Sequence, residues 1–262
     1  MISIYQKNYN FIYFNSMCFD AKTSAITFTI GALSSIYLFY NGIKTNNKAN
    51  KLFSLVVILT SLMQLIEYFL WKNQKCKKTN HMFSLLIIVV LILQPILDCS
   101  YYYYLYKDKS IISLKLLLIY ITIFSISGIF VINWLNKMQL CSTPSKKSCR
   151  LHWDPFTKLS KYKSIFLFMI LLYFIGPLWV GYDLTFYNNK LFKRYPIRFL
   201  FLPISLLLTG LYILIKKQLI LKFSKTPVNT TLEYFDIFGS LWCFWAVFLG
   251  LICILETILT NR

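Results

Sequence analysis

Apolar residues in this chain neither alternate nor trace one helical stripe against a polar face; they run on in long blocks. A membrane-spanning helix needs about 20 mostly apolar residues. Seven stretches approach or reach that length: Ser24–Asn41, Leu52–Trp71, Met82–Leu105, Ile111–Leu135, Ser164–Tyr182, Ile197–Ile215 and Phe235–Ile258. The pattern predicts an all-α, polytopic membrane protein with seven transmembrane helices in one bundle. Residues 1–23 form an N-terminal tail, 24–258 the seven-helix domain and 259–262 a C-terminal tail. Most connections are short. The longest, Asn136–Lys163, has room for at most a surface helix, and no internal repeat relates the first three spans to the last three.

Polar residues inside these blocks are the first sign of chemistry. Glu67 lies in the second span, with Gln64 and Trp71 one turn to either side, and spacings of three and four put all three on one face. Asp98 lies in the third, one turn after Gln94-Pro95. A charged group in mid-membrane costs about 2.5–3.5 kcal/mol on insertion scales, so it faces a partner or a cavity. Loop Lys72–His81 makes the two spans an antiparallel pair. A rise of 1.5 Å per residue then sets Glu67 about 7 Å deep, Gln64 about 12 Å, Gln94 about 18 Å and Asp98 about 24 Å from that loop. If the faces meet, Glu67, Gln64, Gln94 and Asp98 form a carboxylate–amide track with the amides bonded at its centre. The track suits a small solute, a cation or a lipid; the same groups equally suit a polar clasp between helices. Trp71, Trp242 and Cys243 are candidates for packing or site support. Pro95 and Gly176-Pro177 are expected kink points, Arg198 opens the sixth span and Glu256 closes the seventh.

Composition agrees with the membrane reading: 57% of residues are hydrophobic and 14% charged. A net charge of +19 would suggest nucleic acid, but the cations sit at helix ends, where they meet lipid headgroups, so nucleic acid is excluded as a partner. Lys outnumbers Arg 24 to 4, a bias that an A/T-rich genome also produces. Assigning each Lys and Arg to its nearest loop gives 17 on the side of the N-terminus and 11 on the other, which puts the N-terminus in the cytoplasm. The sequon Asn229-Thr230-Thr231 and a Cys141–Cys149 disulfide in the long loop would belong on the opposite side. Residues before Met17 could be an upstream extension; a start there leaves Cys18 open to acylation.

Catalytic patterns are sparse. His81 and His152 are the only histidines, and no His-x-x-x-His or Glu-x-x-His pair exists to hold zinc. Gly-x-Ser-x-Gly is absent, and the last span has no Lys for a retinal Schiff base. No metal or cofactor is expected, and enzyme chemistry would rest on Cys or carboxylate groups alone.

Met17-Cys18-Phe19-Asp20-Ala21 resembles a Met-Cys-Phe-Ser-Ala start, Gln64-Leu65-Ile66-Glu67 with Trp71 resembles a Gln-x-x-Glu-x-x-x-Trp motif, and Ser240-Leu241-Trp242-Cys243 is similar to Ser-x-Trp-Cys. Together these resemble an uncharacterised seven-helix membrane family of bacteria with relatives in large DNA viruses; Gln94-Pro95 resembles the viral branch. The family's Ser is Asp20 here. The resemblance implies fold and membrane location, in a host or virion membrane if viral, and no activity. Two classes remain: the expected one is a small transporter, channel or binding protein using the track, and the alternative is a structural or host-interaction membrane protein without catalytic or transport activity.

Overall fold

The computed structural model describes residues 20–108, 110, 112–144, 151–184, 193–198, 211 and 247–260. Among them are five helices long and apolar enough to cross a membrane. They are α1 (Ala21–Lys44), α2 (Lys48–Lys72), α3 (Lys78–Tyr106), α4 (Leu114–Asn136) and, after a short excursion, α6 (Lys163–Tyr182). The excursion holds the two-residue strands β1 (Thr143–Pro144) and β2 (Leu151–His152), paired antiparallel, and the seven-residue helix α5 (Asp154–Ser160). A final apolar helix, α7 (Val247–Thr260), forms the end of the seventh expected span. Most of the sixth span and residues 235–246 lie outside the described residues, as do Met17, Cys18, Cys149, the sequon, Trp242 and Cys243.

Local chemistry sets the helix boundaries. The Asp20 carboxylate caps α1 by accepting from the Thr23 amide at 2.7 Å, and that bond holds its pKa below the usual carboxylate value. Between α1 and α2 the chain turns through Asn46, whose φ of 48° is one that Asn tolerates. Asn47 and Ser113 cap α2 and α4 by accepting from the Asn50 and Leu116 amides. Pro95 and Pro177 lie inside helices that continue through them.

Among the described residues the core falls into three clusters, the third of which holds Trp153. Leu38, Phe53, Val57, Leu249 and Cys253 join α1, α2 and α7. Ile92, Cys99, Tyr102, Tyr120, Phe124 and Leu172 join α3, α4 and α6. The α1–α2 contact is close because the buried face of α1, Ser24, Thr27, Gly31, Ser34, Ser35, Leu38 and Gly42, is small everywhere but at Leu38. A Cβ on Gly31 would collide with the Ser61 side chain, and one on Gly250 would come within 2.7 Å of Ser34 Cβ.

The α2–α3 loop, the end of α4 and the hairpin form a collar at one end of the bundle. Cys76 pairs with Cys141 across a Cα separation of 5.0 Å. This corrects the expected Cys141–Cys149 bridge: the short α2–α3 loop and the long connection after α4 share one bundle end, which brings Cys76 within disulfide reach. Beside it, buried Asn80 donates to the carbonyls of Asn73 (2.7 Å) and Ser142 (2.8 Å). Its Oδ1 accepts from the Ser142 amide at 2.9 Å and the Ser84 hydroxyl at 3.3 Å. His81 accepts from the Leu140 amide through Nδ1, so Nε2 carries the proton that faces Asn136 Oδ1 at 3.2 Å. Trp153, 1% exposed, and Leu151 pack beneath the collar against Met63, Ile66, Leu70 and Ile87.

Candidate functional site

Gln64 and Glu67 lie on the buried face of α2, 0% and 1% exposed. Gln64 finds a partner on α1 and passes a bond on to Glu67. Thr27 Oγ1 donates to Gln64 Oε1 at 2.9 Å, and Gln64 Nε2 donates to Glu67 Oε2 at 3.2 Å. One turn nearer the start of α1, the Ser24 hydroxyl is fully buried without a hydrogen-bond partner among the described residues. Trp71 ends this face half-buried.

Gln94 sits elsewhere. Its Nε2 donates to the Leu59 carbonyl at 3.0 Å and its Oε1 accepts from the Tyr173 hydroxyl at 2.8 Å, which ties α3 to both α2 and α6. The expected meeting of the two amides is therefore corrected: Gln64 turns to α1 and Gln94 to the Leu59 carbonyl and Tyr173. The cause is that α2 has neighbours on two sides, and the small residues of α1 let Thr27 approach Gln64 closely. Gln64 is bonded with Glu67 and Thr27, and Gln94 with Tyr173 and the Leu59 carbonyl.

Asp98 lies one turn beyond Gln94, half-buried, with Oδ1 enclosed and unpartnered among the described residues. Its neighbour Cys99 is enclosed by Tyr120 and Gly176: a Cβ on Gly176 would come within 2.7 Å of the Tyr120 hydroxyl and 2.8 Å of Cys99 Sγ. Tyr120 spends its proton on the Leu172 carbonyl at 3.0 Å.

A further buried polar group is one whose partners sequence reading missed. Arg198, 1% exposed, donates through Nε to Glu256 Oε2 at 2.7 Å, through Nη1 to Asn50 Oδ1 at 2.6 Å and through Nη2 to the Cys253 carbonyl at 2.8 Å and Thr257 Oγ1 at 2.5 Å. Glu256 Oε1 accepts from the Ile197 amide at 2.9 Å. The guanidinium also lies 4.3 Å from the Tyr195 ring centroid, and the Tyr195 hydroxyl accepts from Asn47 Nδ2 at 2.6 Å. This clasp joins α2, α7 and residues 195–198 at the end of the bundle opposite the collar. A signal existed: by span order, the start of the sixth span and the end of the seventh share one membrane level, so Arg198 and Glu256 were natural partners. Nearby, Lys48 Nζ donates to the Leu105 carbonyl at 2.5 Å and Ser110 donates to Asp183 Oδ2 at 2.5 Å.

These features define a multi-pass, membrane-embedded helical protein with buried polar clasps. No family model, no curated protein and no solved structure matches the chain.

Proposed function

We propose that this chain is a structural or interaction-bearing multi-pass membrane protein whose buried polar side chains tie its helices together. The observation that carries this reading is the spending of Gln64, Gln94 and Arg198 on bonds within the protein. Interhelical bonds of this kind contribute about 0.6 kcal/mol each on average in membrane proteins. The test is native mass spectrometry of gently extracted protein beside its Glu67→Gln variant, with stability measured on both. Two bare, folded species differing only in stability are expected. A discrete small-molecule mass lost in the variant would overturn the reading.

A second reading, a site for a small solute or cation, is favoured by one observation, the enclosed and unpartnered Oδ1 of Asp98. It centres the site on Asp98 rather than on the whole Glu67–Gln64–Gln94–Asp98 set. Asp98→Asn would then abolish proton-coupled or cation flux in vesicles while the bundle stays folded. Equal flux in both proteins would remove it.

Orientation belongs to the same proposal. The Lys and Arg count favours a cytoplasmic collar, whereas the Cys76–Cys141 bridge favours an oxidising compartment. The bridge outweighs the count, because the charge margin is a bias and a disulfide needs a chemical environment. The collar and the start of α1 then face away from the cytoplasm. After reduction, a membrane-impermeant maleimide should label Cys76 in intact cells; labelling only after lysis would reverse the assignment. Kinship with the seven-helix bacterial and viral family also stands as a proposal, supported by Gln64, Glu67 and Trp71 on one helix.

A further inference from the structure

The collar holds a recess of about 630 Å³ at the junction of α2 and α3, lined by residues 71–75 together with Lys77 and Thr79. Its volume falls within the range of about 300–1,000 Å³ typical of ligand sites. Three ammonium groups, an amide and a hydroxyl can donate into it, and no Asp or Glu is among its lining residues. Such a donor set without a carboxylate selects for an anion, and compact ammonium groups suit phosphate oxygens.

We propose that this recess seats the phosphate of a phospholipid headgroup. Position argues for lipid over free phosphate. Trp71 is the last aromatic residue of a membrane-spanning helix, the level at which indole rings meet headgroups, and it forms one wall. The recess is also held in shape. Its loop is cross-linked at Cys76 to Cys141, the Asn73 carbonyl accepts from buried Asn80, and Gln139 Nε2 donates to the Cys76 carbonyl at 3.3 Å. Lysines on a free loop would spread apart by mutual repulsion; here the backbone that carries them is anchored before any anion arrives, which reduces the ordering cost of binding.

The experiment uses the full chain in mild detergent and counts retained lipids by native mass spectrometry during titration with phosphatidylglycerol, phosphatidylcholine or inorganic phosphate. The wild-type protein is expected to retain one phosphatidylglycerol more tightly than phosphatidylcholine. Each Lys near a lipid surface contributes about 1 kcal/mol, so Lys72→Gln/Lys75→Gln/Lys77→Gln should weaken that step roughly 150-fold at most and at least tenfold after screening. Lys161→Gln/Lys163→Gln, on the same side of the bundle but outside the recess, should leave it unchanged. Equal losses from the two variants would mean a diffuse surface charge and overturn the proposal. Retention of inorganic phosphate with no preference among lipids would overturn the lipid assignment. An unchanged thermal transition in the triple variant separates lost binding from lost folding.

Discussion

The two ends of the bundle are closed by different chemistry. At the collar, one covalent bridge and a neutral hub tie the α2–α3 loop to the segment after α4: Cys76–Cys141 with Asn80 making four hydrogen bonds. At the clasp, an ion pair between residues 58 apart holds the last helix, with Asn50, 148 residues from Arg198, as a third partner. The collar joins segments exposed to water, where a disulfide gains by restricting the unfolded chain. The clasp buries charge, where pairing chiefly avoids an uncompensated ion. The collar should therefore be sensitive to redox conditions and the clasp to loss of a single partner.

The strongest way to break that contrast is Arg198→Ala. It strands Glu256 at 4% exposure and is expected to cost about 3–5 kcal/mol in a detergent-unfolding titration, whereas Arg198→Met/Glu256→Leu should recover most of the loss. Cys76→Ser is next, at about 2–4 kcal/mol, with hydrogen exchange rising in residues 73–80 and 139–144 and not around Asn50. An equal rise at both ends would dissolve the distinction. Asn80→Leu, which leaves the Ser142 amide and the Asn73 carbonyl without that partner, is expected to cost about 1–3 kcal/mol in the same titration.

The smallest expected effect sharpens the picture at the start of α1. Asp20→Ala should cost about 1 kcal/mol by removing the cap. The folded pKa of Asp20 is lowered by its bond to the Thr23 amide, so the cap's contribution is present above the unfolded carboxylate value and lost as pH falls through the folded one. An acid titration that weakens the wild type but not the variant checks the sign.

Hydrophobic continuity made the spanning helices legible: α1, α2, α3, α4 and α6 cover the first five expected spans, and α7 covers the end of the seventh. The site was legible by residue and not by partner. Glu67 and Gln64 stood out because lipid penalises them, but the choice of neighbour depended on how closely backbones approach. That was written in Ser24, Thr27 and Gly31, which look inert one at a time and matter only as a face. The Cys76–Cys141 bridge eluded sequence because pairing depends on which connections share an end. Arg198 and Glu256 were visible separately; only their shared membrane level links them.

The clasp also imposes an order in time. Arg198 leaves the ribosome 58 residues before Glu256. At about 5–20 residues per second, the cation waits roughly 3–12 s for its carboxylate. Asn50 has already been made by then and offers its Oδ1 to the same guanidinium. Of the four side-chain and backbone acceptors on the Arg198 guanidinium, Asn50 is thus the one already synthesised when the cation emerges; Cys253, Glu256 and Thr257 all follow it.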